Sequence, residues 1–202
     1  MMALLIAMLV CVMVPLFTRT WRMMFRMLGL QGLLLAMIAS LQLGAHADIA
    51  SYVLLADVLI LRGLFVPIFL QRMVADRARS HELALIPSNL VFWGLAIVIV
   101  IASLWFGAKI PPGDTLPSLH LGVALSAVFL SLFVLSMQTR PIGQVIAAIT
   151  LENGVVLLEL LLEHHVSLPV ELAIVIVFFL SIITFGVLLR RLEDTPEPAE
   201  SP

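Results

Sequence analysis

The chain has 202 residues, of which 62% are hydrophobic and only 12% charged, with a mean hydropathy of +1.16. A soluble domain is about 45–50% apolar and about 25% charged, so no single small core could hold this much apolar surface, and the composition is that of an integral membrane protein. A formal net charge of −2 leaves no basic face for nucleic acid.

A spanning helix needs roughly 20 mostly apolar residues. Seven runs reach or approach that length, at about residues 1–17, 27–44, 50–71, 83–107, 118–138, 142–163 and 169–189. Lipid offers backbone groups no partner, so such runs must be helical. The expected fold is all-α, with about seven transmembrane helices. The first run lacks the charged n-region and small-x-small site of a signal peptide and is read as the first helix. It carries Pro15 and the single cysteine, Cys11. One cysteine forms no internal disulfide, and without a C-x-x-C pair the chain holds no zinc ribbon or iron–sulfur cluster of its own.

Arginines follow the odd-numbered helices. Arg19, Arg22 and Arg26 come after the first, Arg72, Arg77 and Arg79 after the third, Arg140 after the fifth, and Arg190 and Arg191 at the end of the seventh. The opposite side has only Lys109. The positive-inside rule then places the N-terminus outside and the C-terminus in the cytoplasm. Trp21 and Trp105 fall near helix ends, where interfacial aromatics are expected.

The third run, "ADVLILRGLFVPIFLQR", carries the costliest charge. Arg62 lies about twelve residues, or roughly 18 Å, from the outer end, near the bilayer centre. Insertion scales put an arginine there at about 2.5–3.5 kcal/mol. Asp57 is five residues away, about 140° around an α-helix, which is poor spacing for a direct pair. Arg62 is therefore expected to meet an acid on another helix. Pro67 removes a backbone bond and marks a place for a kink.

The sixth run, "AITLENGVVLLELLLEHH", holds Glu152, Glu159 and Glu163. Spacings of seven and eleven residues return to within about 20° of whole turns. The three acids share one stripe, which starts at mid-membrane and rises outward. Low dielectric and mutual repulsion oppose full ionisation of such a row, so these groups are suited to exchanging protons. Asn153 and Gly154 follow Glu152 and suit a hydrogen bond and a close helix contact. Glu171, near the outer end of the seventh helix, either extends the acidic row or sits among headgroups. His46, His120, His164 and His165 all map to the outer side, at or beyond helix ends. A pair of them as haem ligands is a rival reading. The end of the chain, "LEDTPEPAESP", is acidic and proline-rich and is expected to be disordered or to rest on a partner.

"RGLFVPIFLQR", followed by "SMQTRPIGQVIAAITLENGVVLLELLL", resembles the membrane subunit called hydrogenase-4 component E, found with formate hydrogenlyase and related complex-I-like assemblies. The resemblance spans nearly the whole chain. Its most specific marks are the basic residue four positions before Val66-Pro67, here Arg62 where members carry lysine, and "ENG" at 152–154. Residues 118–191 are similar to the three-helix K-type subunit of complex I, whose middle helix bears a buried glutamate at the place of Glu152. The place of a second buried acid is taken here by Val177.

The resemblance implies three parts: an N-terminal four-helix part at 1–117, a K-type-like part at 118–191 and a tail at 192–202. It implies a multi-pass protein of a bacterial or archaeal inner membrane. Its partners would be antiporter-like membrane subunits and a cytoplasmic redox module, with no cofactor and no catalytic residue in this chain. Proton transfer would fall to Glu152, with Arg62, Glu159, Asp57, Glu163 and Glu171 around it. The alternatives are a purely structural scaffold with static ion pairs and a haem-binding, quinone-linked anchor. A stand-alone transporter fits least, since no paired broken helices mark a substrate site.

Overall fold

The structure, a computed structural model, describes residues 1–18, 20–42, 49–75, 90–109, 118–138, 141–162 and 168–193. All seven apolar runs are met by helix. The helices are α1 (Met2–Phe17), α2 (Trp21–Gln42), α3 (Ile49–Ala56), a π-helical stretch (Asp57–Phe65), α4 (Val66–Ala75), α5 (Leu90–Lys109), α6 (Ser118–Met137), α7 (Pro141–Leu161) and α8 (Leu168–Glu193). There is no strand among the described residues. Five of the helical runs are long and apolar enough to cross a membrane: those at 22–42, 49–72, 91–109, 119–137 and 142–161. The described apolar stretches of α1 and α8 are shorter, at 2–14 and 175–184.

Several hydroxyl side chains in these helices bond locally, as a water-free setting requires. Ser103, Ser126, Ser131, Thr150 and Ser181 each donate their hydroxyl to the carbonyl four residues earlier, at 2.7–2.8 Å.

Helix α2 lies at the centre and touches α1, α3, the π stretch, α4 and α7, while α5 packs mainly on α6. Small residues allow the close contacts. Gly32 and Gly63 stand back to back: a Cβ on Gly32 would sit 2.5 Å from the Gly63 Cα. A Cβ on Gly154 would lie 3.2 Å from the Val128 nitrogen, so "ENG" sets how closely α7 approaches α6.

Two apolar clusters fill the interior. One joins Leu5, Met8 and Val12 with Leu35 and Ile38, Ala127 and Leu130, and Leu157 and Leu161. The other joins Met24, Phe25 and Leu28 with Val66 and Leu70, Val145 and Ile149, and Phe178 and Ile182. On α2 the change from one to the other falls between Leu28 and Leu34. On α7 it falls between Ile149 and Val156, and on the third run between Val58 and Val66. Gln31, Asn153 and Arg62 occupy these three gaps, so the buried polar groups form a layer between two oily ones.

Candidate functional site: a buried arginine and an open glutamate

Arg62 stands at the midpoint of the continuous helical run from Ile49 to Ala75 and is 2% exposed. Its Nε donates to Asp57 Oδ2 at 2.8 Å. This corrects the expectation that a five-residue spacing forbids the pair. That expectation assumed α geometry. From Asp57 to Phe65 the helix is π, and at its end the Val66 N–H bonds the Leu61 carbonyl five residues back. An i→i+5 helix stacks residues five apart on one side, which brings Asp57 under Arg62. The irregularity lies just before Pro67, which has no N–H to donate to the preceding turn.

Arg62 also meets the acid expected on another helix. Its Nη1 is 3.9 Å from Glu152 Oε2 and donates to Asn153 Oδ1 at 3.4 Å. The guanidinium carbon lies 3.8 Å from the centroid of the Phe178 ring on α8, a cation–π contact. The cation is therefore held by three helical elements, the π stretch, α7 and α8. Only the bond to Asp57 is a short charge-assisted one. Asp57 Oδ1 is buried and has no hydrogen-bond partner among the described residues.

Glu152 differs from its counter-ion. It sits near the middle of α7, yet its side chain is 40% exposed. Val155, Glu159 and Leu162 continue the same part-exposed face, as the seven-residue spacing predicted. Glu159 has no ion-pair partner among the described residues. Asn153, one residue on, is fully buried. One helix thus turns a neutral amide inward and a row of carboxylates outward.

Glu163, His46, His164 and His165 lie outside the described residues, as do Arg19, Arg77, Arg79, Arg140 and the tail beyond Glu193. Glu171 lies on α8, but its side chain is outside the description. His120 is part-buried near the start of α6, and its Nδ1 has no partner among the described residues. Val177, on α8, faces outward at 61% exposure.

Sequence reasoning missed Gln31. It is buried on α2, accepts from Asn153 Nδ2 at 3.2 Å and donates through Nε2 to the Cys11 carbonyl at 3.3 Å. A signal for it existed. In an α-helix the Cys11 carbonyl would take its bond from residue 15, and residue 15 is proline. That carbonyl needs a donor from elsewhere.

No family model, no curated protein and no solved structure matches the chain.

Proposed function

We propose that the chain is a membrane-arm subunit of a complex-I-like, energy-converting oxidoreductase of the hydrogenase-4 or formate hydrogenlyase type. In this reading it contributes to moving protons or ions across the bilayer while redox chemistry runs in partner subunits. The seven runs span the membrane with the N-terminus outside and the C-terminus in the cytoplasm of a bacterial or archaeal cell. Glu152 is the proton-exchanging carboxylate, Arg62 a fixed charge beside it, and Glu159, with Glu163 beyond, an outward continuation. Arginine does not give up its proton in proteins, so Arg62 acts by its field.

The observation that carries this reading is the 40% exposure of the Glu152 side chain at the middle of a membrane-length helix. A carboxylate facing hydrocarbon is expensive. A chain that keeps one there is completed by something polar, which fits antiporter-like neighbours in a hetero-oligomeric arm. Val177 stands where the K-type pattern has its second acid, so the burden falls on the α7 row.

The scaffold reading keeps one specific support. Arg62 and Asp57 are paired and buried, as static packing charges would be. The two readings divide the site: Asp57 and Arg62 as the fixed part, Glu152 and Glu159 as the working part. In the purified complex, Glu152→Gln should abolish or strongly reduce proton translocation while leaving assembly intact. Full pumping in that variant overturns the proposal. A haem anchor would show a visible haem absorption band, and a spectrum of the purified protein tests for it.

A further inference from the structure

The polar layer has a direction. Because Pro15 has no N–H, the Cys11 carbonyl takes its hydrogen bond from Gln31 Nε2, at 3.3 Å. That fixes which end of the Gln31 amide faces α1, so Oε1 must face α7. There it accepts from Asn153 Nδ2, at 3.2 Å. The Asn153 amide is fixed in turn, and its Oδ1 faces Arg62 Nη1, at 3.4 Å. Turning either amide over would set donor against donor inside a buried layer, where an unsatisfied polar group costs about 1–3 kcal/mol. A backbone carbonyl on α1 thereby decides, through two side chains, that an acceptor confronts Arg62.

That acceptor competes with Glu152 for one guanidinium nitrogen. Nη1 is within hydrogen-bonding reach of Asn153 and stops 3.9 Å from the Glu152 carboxylate. We propose that Gln31 is a positioning residue: by orienting Asn153, it holds Arg62 short of a contact ion pair with Glu152 and so keeps that carboxylate free to exchange a proton. The charged groups that bear on Glu152 among the described side chains are Arg62 and Asp57 on the π stretch and Glu159 on α7 itself. Helix α8 contributes the Phe178 ring at this level. Neither amide readily releases a proton, so the Gln31–Asn153 hydrogen-bond series braces the cation and does not conduct.

The inference rests on Glu152 as the exchanging group of the proposed function, but its test reads the carboxylate and needs no transport. Infrared spectra of the full-length purified protein, with Glu152→Gln to assign the Glu152 band, would be compared across Gln31→Leu, Asn153→Leu, Pro15→Ala and the Gln31→Leu/Pro15→Ala pair. Gln31→Leu should shift the Glu152 carboxylate band in the same sense as Asn153→Leu. Pro15→Ala supplies the missing N–H to the Cys11 carbonyl. In the Gln31→Leu background it should recover thermal stability and leave the band displaced. Should Gln31→Leu fail to fold, the doubly substituted protein carries the same measurement. A Glu152 band unmoved in both, with stability alone lost and then restored, makes Gln31 a cap for one carbonyl and overturns the inference. A displaced band together with full pumping by Glu152→Gln would leave the positioning intact and remove the proton role instead.

Discussion

Asp57 and Arg62 meet at 2.8 Å across a spacing that an α-helix would set on different faces, because the helix between them is π. The ion pair and the helical form support each other. The pair supplies a reason for the wider turns, and the wider turns make the pair possible. π stretches are uncommon, usually a single turn, and frequent at functional sites. This one runs for nine residues.

Removing one partner of that pair exposes its cost. Asp57→Ala strands a buried guanidinium and should destabilise the protein by about 3–5 kcal/mol. Asp57→Asn keeps an acceptor in place and should cost less. Joint replacement by Asp57→Leu and Arg62→Met should cost less than the sum of the single changes. Denaturant unfolding of the purified protein, arranged as a double-mutant cycle, measures the coupling.

Arg62→Lys preserves charge and loses the planar fork. A single ammonium cannot hold Asp57, Asn153 and the Phe178 face together. The expected result is a fall in melting temperature; under the proposed function, proton translocation by the assembled complex should be retained in part, since the field beside Glu152 survives. Loss of translocation at full stability would show that the fork itself matters to Glu152.

Two glycines in similar helical settings should behave oppositely. Gly32→Ala places a Cβ 2.5 Å from the Gly63 backbone, which has no flexible end to move aside. Overpacking of this kind costs about 1–3 kcal/mol or more. Gly94 has nothing within 4 Å of its hypothetical Cβ. Gly94→Ala should be neutral or stabilising by up to about 1 kcal/mol. Thermal melts of the two variants beside the parent protein check both directions.

Phe178→Leu leaves an apolar side chain and removes the ring beneath Arg62. A desolvated cation–π contact is worth about 2 kcal/mol, so stability should fall by about that amount. In the Arg62→Met background the same change should cost much less, because no cation remains to lose. Unfolding measurements on the four proteins test this.

Much of this was legible in the sequence, and the reason is the solvent. Lipid demands long apolar helices, so the seven runs show themselves, and a lone charge such as Arg62 or Glu152 stands out by its cost. The shared face of Glu152 and Glu159 followed from 100° per residue, and α7 keeps that period. The same arithmetic failed at Asp57, where the helix does not. Nothing in "DVLILRGLF" announces a π stretch, since the pattern of apolar residues suits either form. Gln31 was overlooked for another reason. An uncharged amide in an apolar run is cheap enough to pass unremarked, and its value comes from the carbonyl that Pro15 leaves bare on a different helix.

The layer between the two apolar clusters also has an electrical meaning. With the bundle across a bilayer, the oil on either side of Arg62, Asp57 and Glu152 is insulator, and the membrane voltage drops across both slabs. A charge carried through the full field is worth about 2.3 kcal/mol per 100 mV. Glu152, near the middle of its helix, would mark about half of that journey. A proton reaching it from either face has worked against, or gained, only about 1.2 kcal/mol per 100 mV. The voltage would then divide one steep climb into two shallow ones, each small enough for a modest rearrangement of neighbouring charges to match.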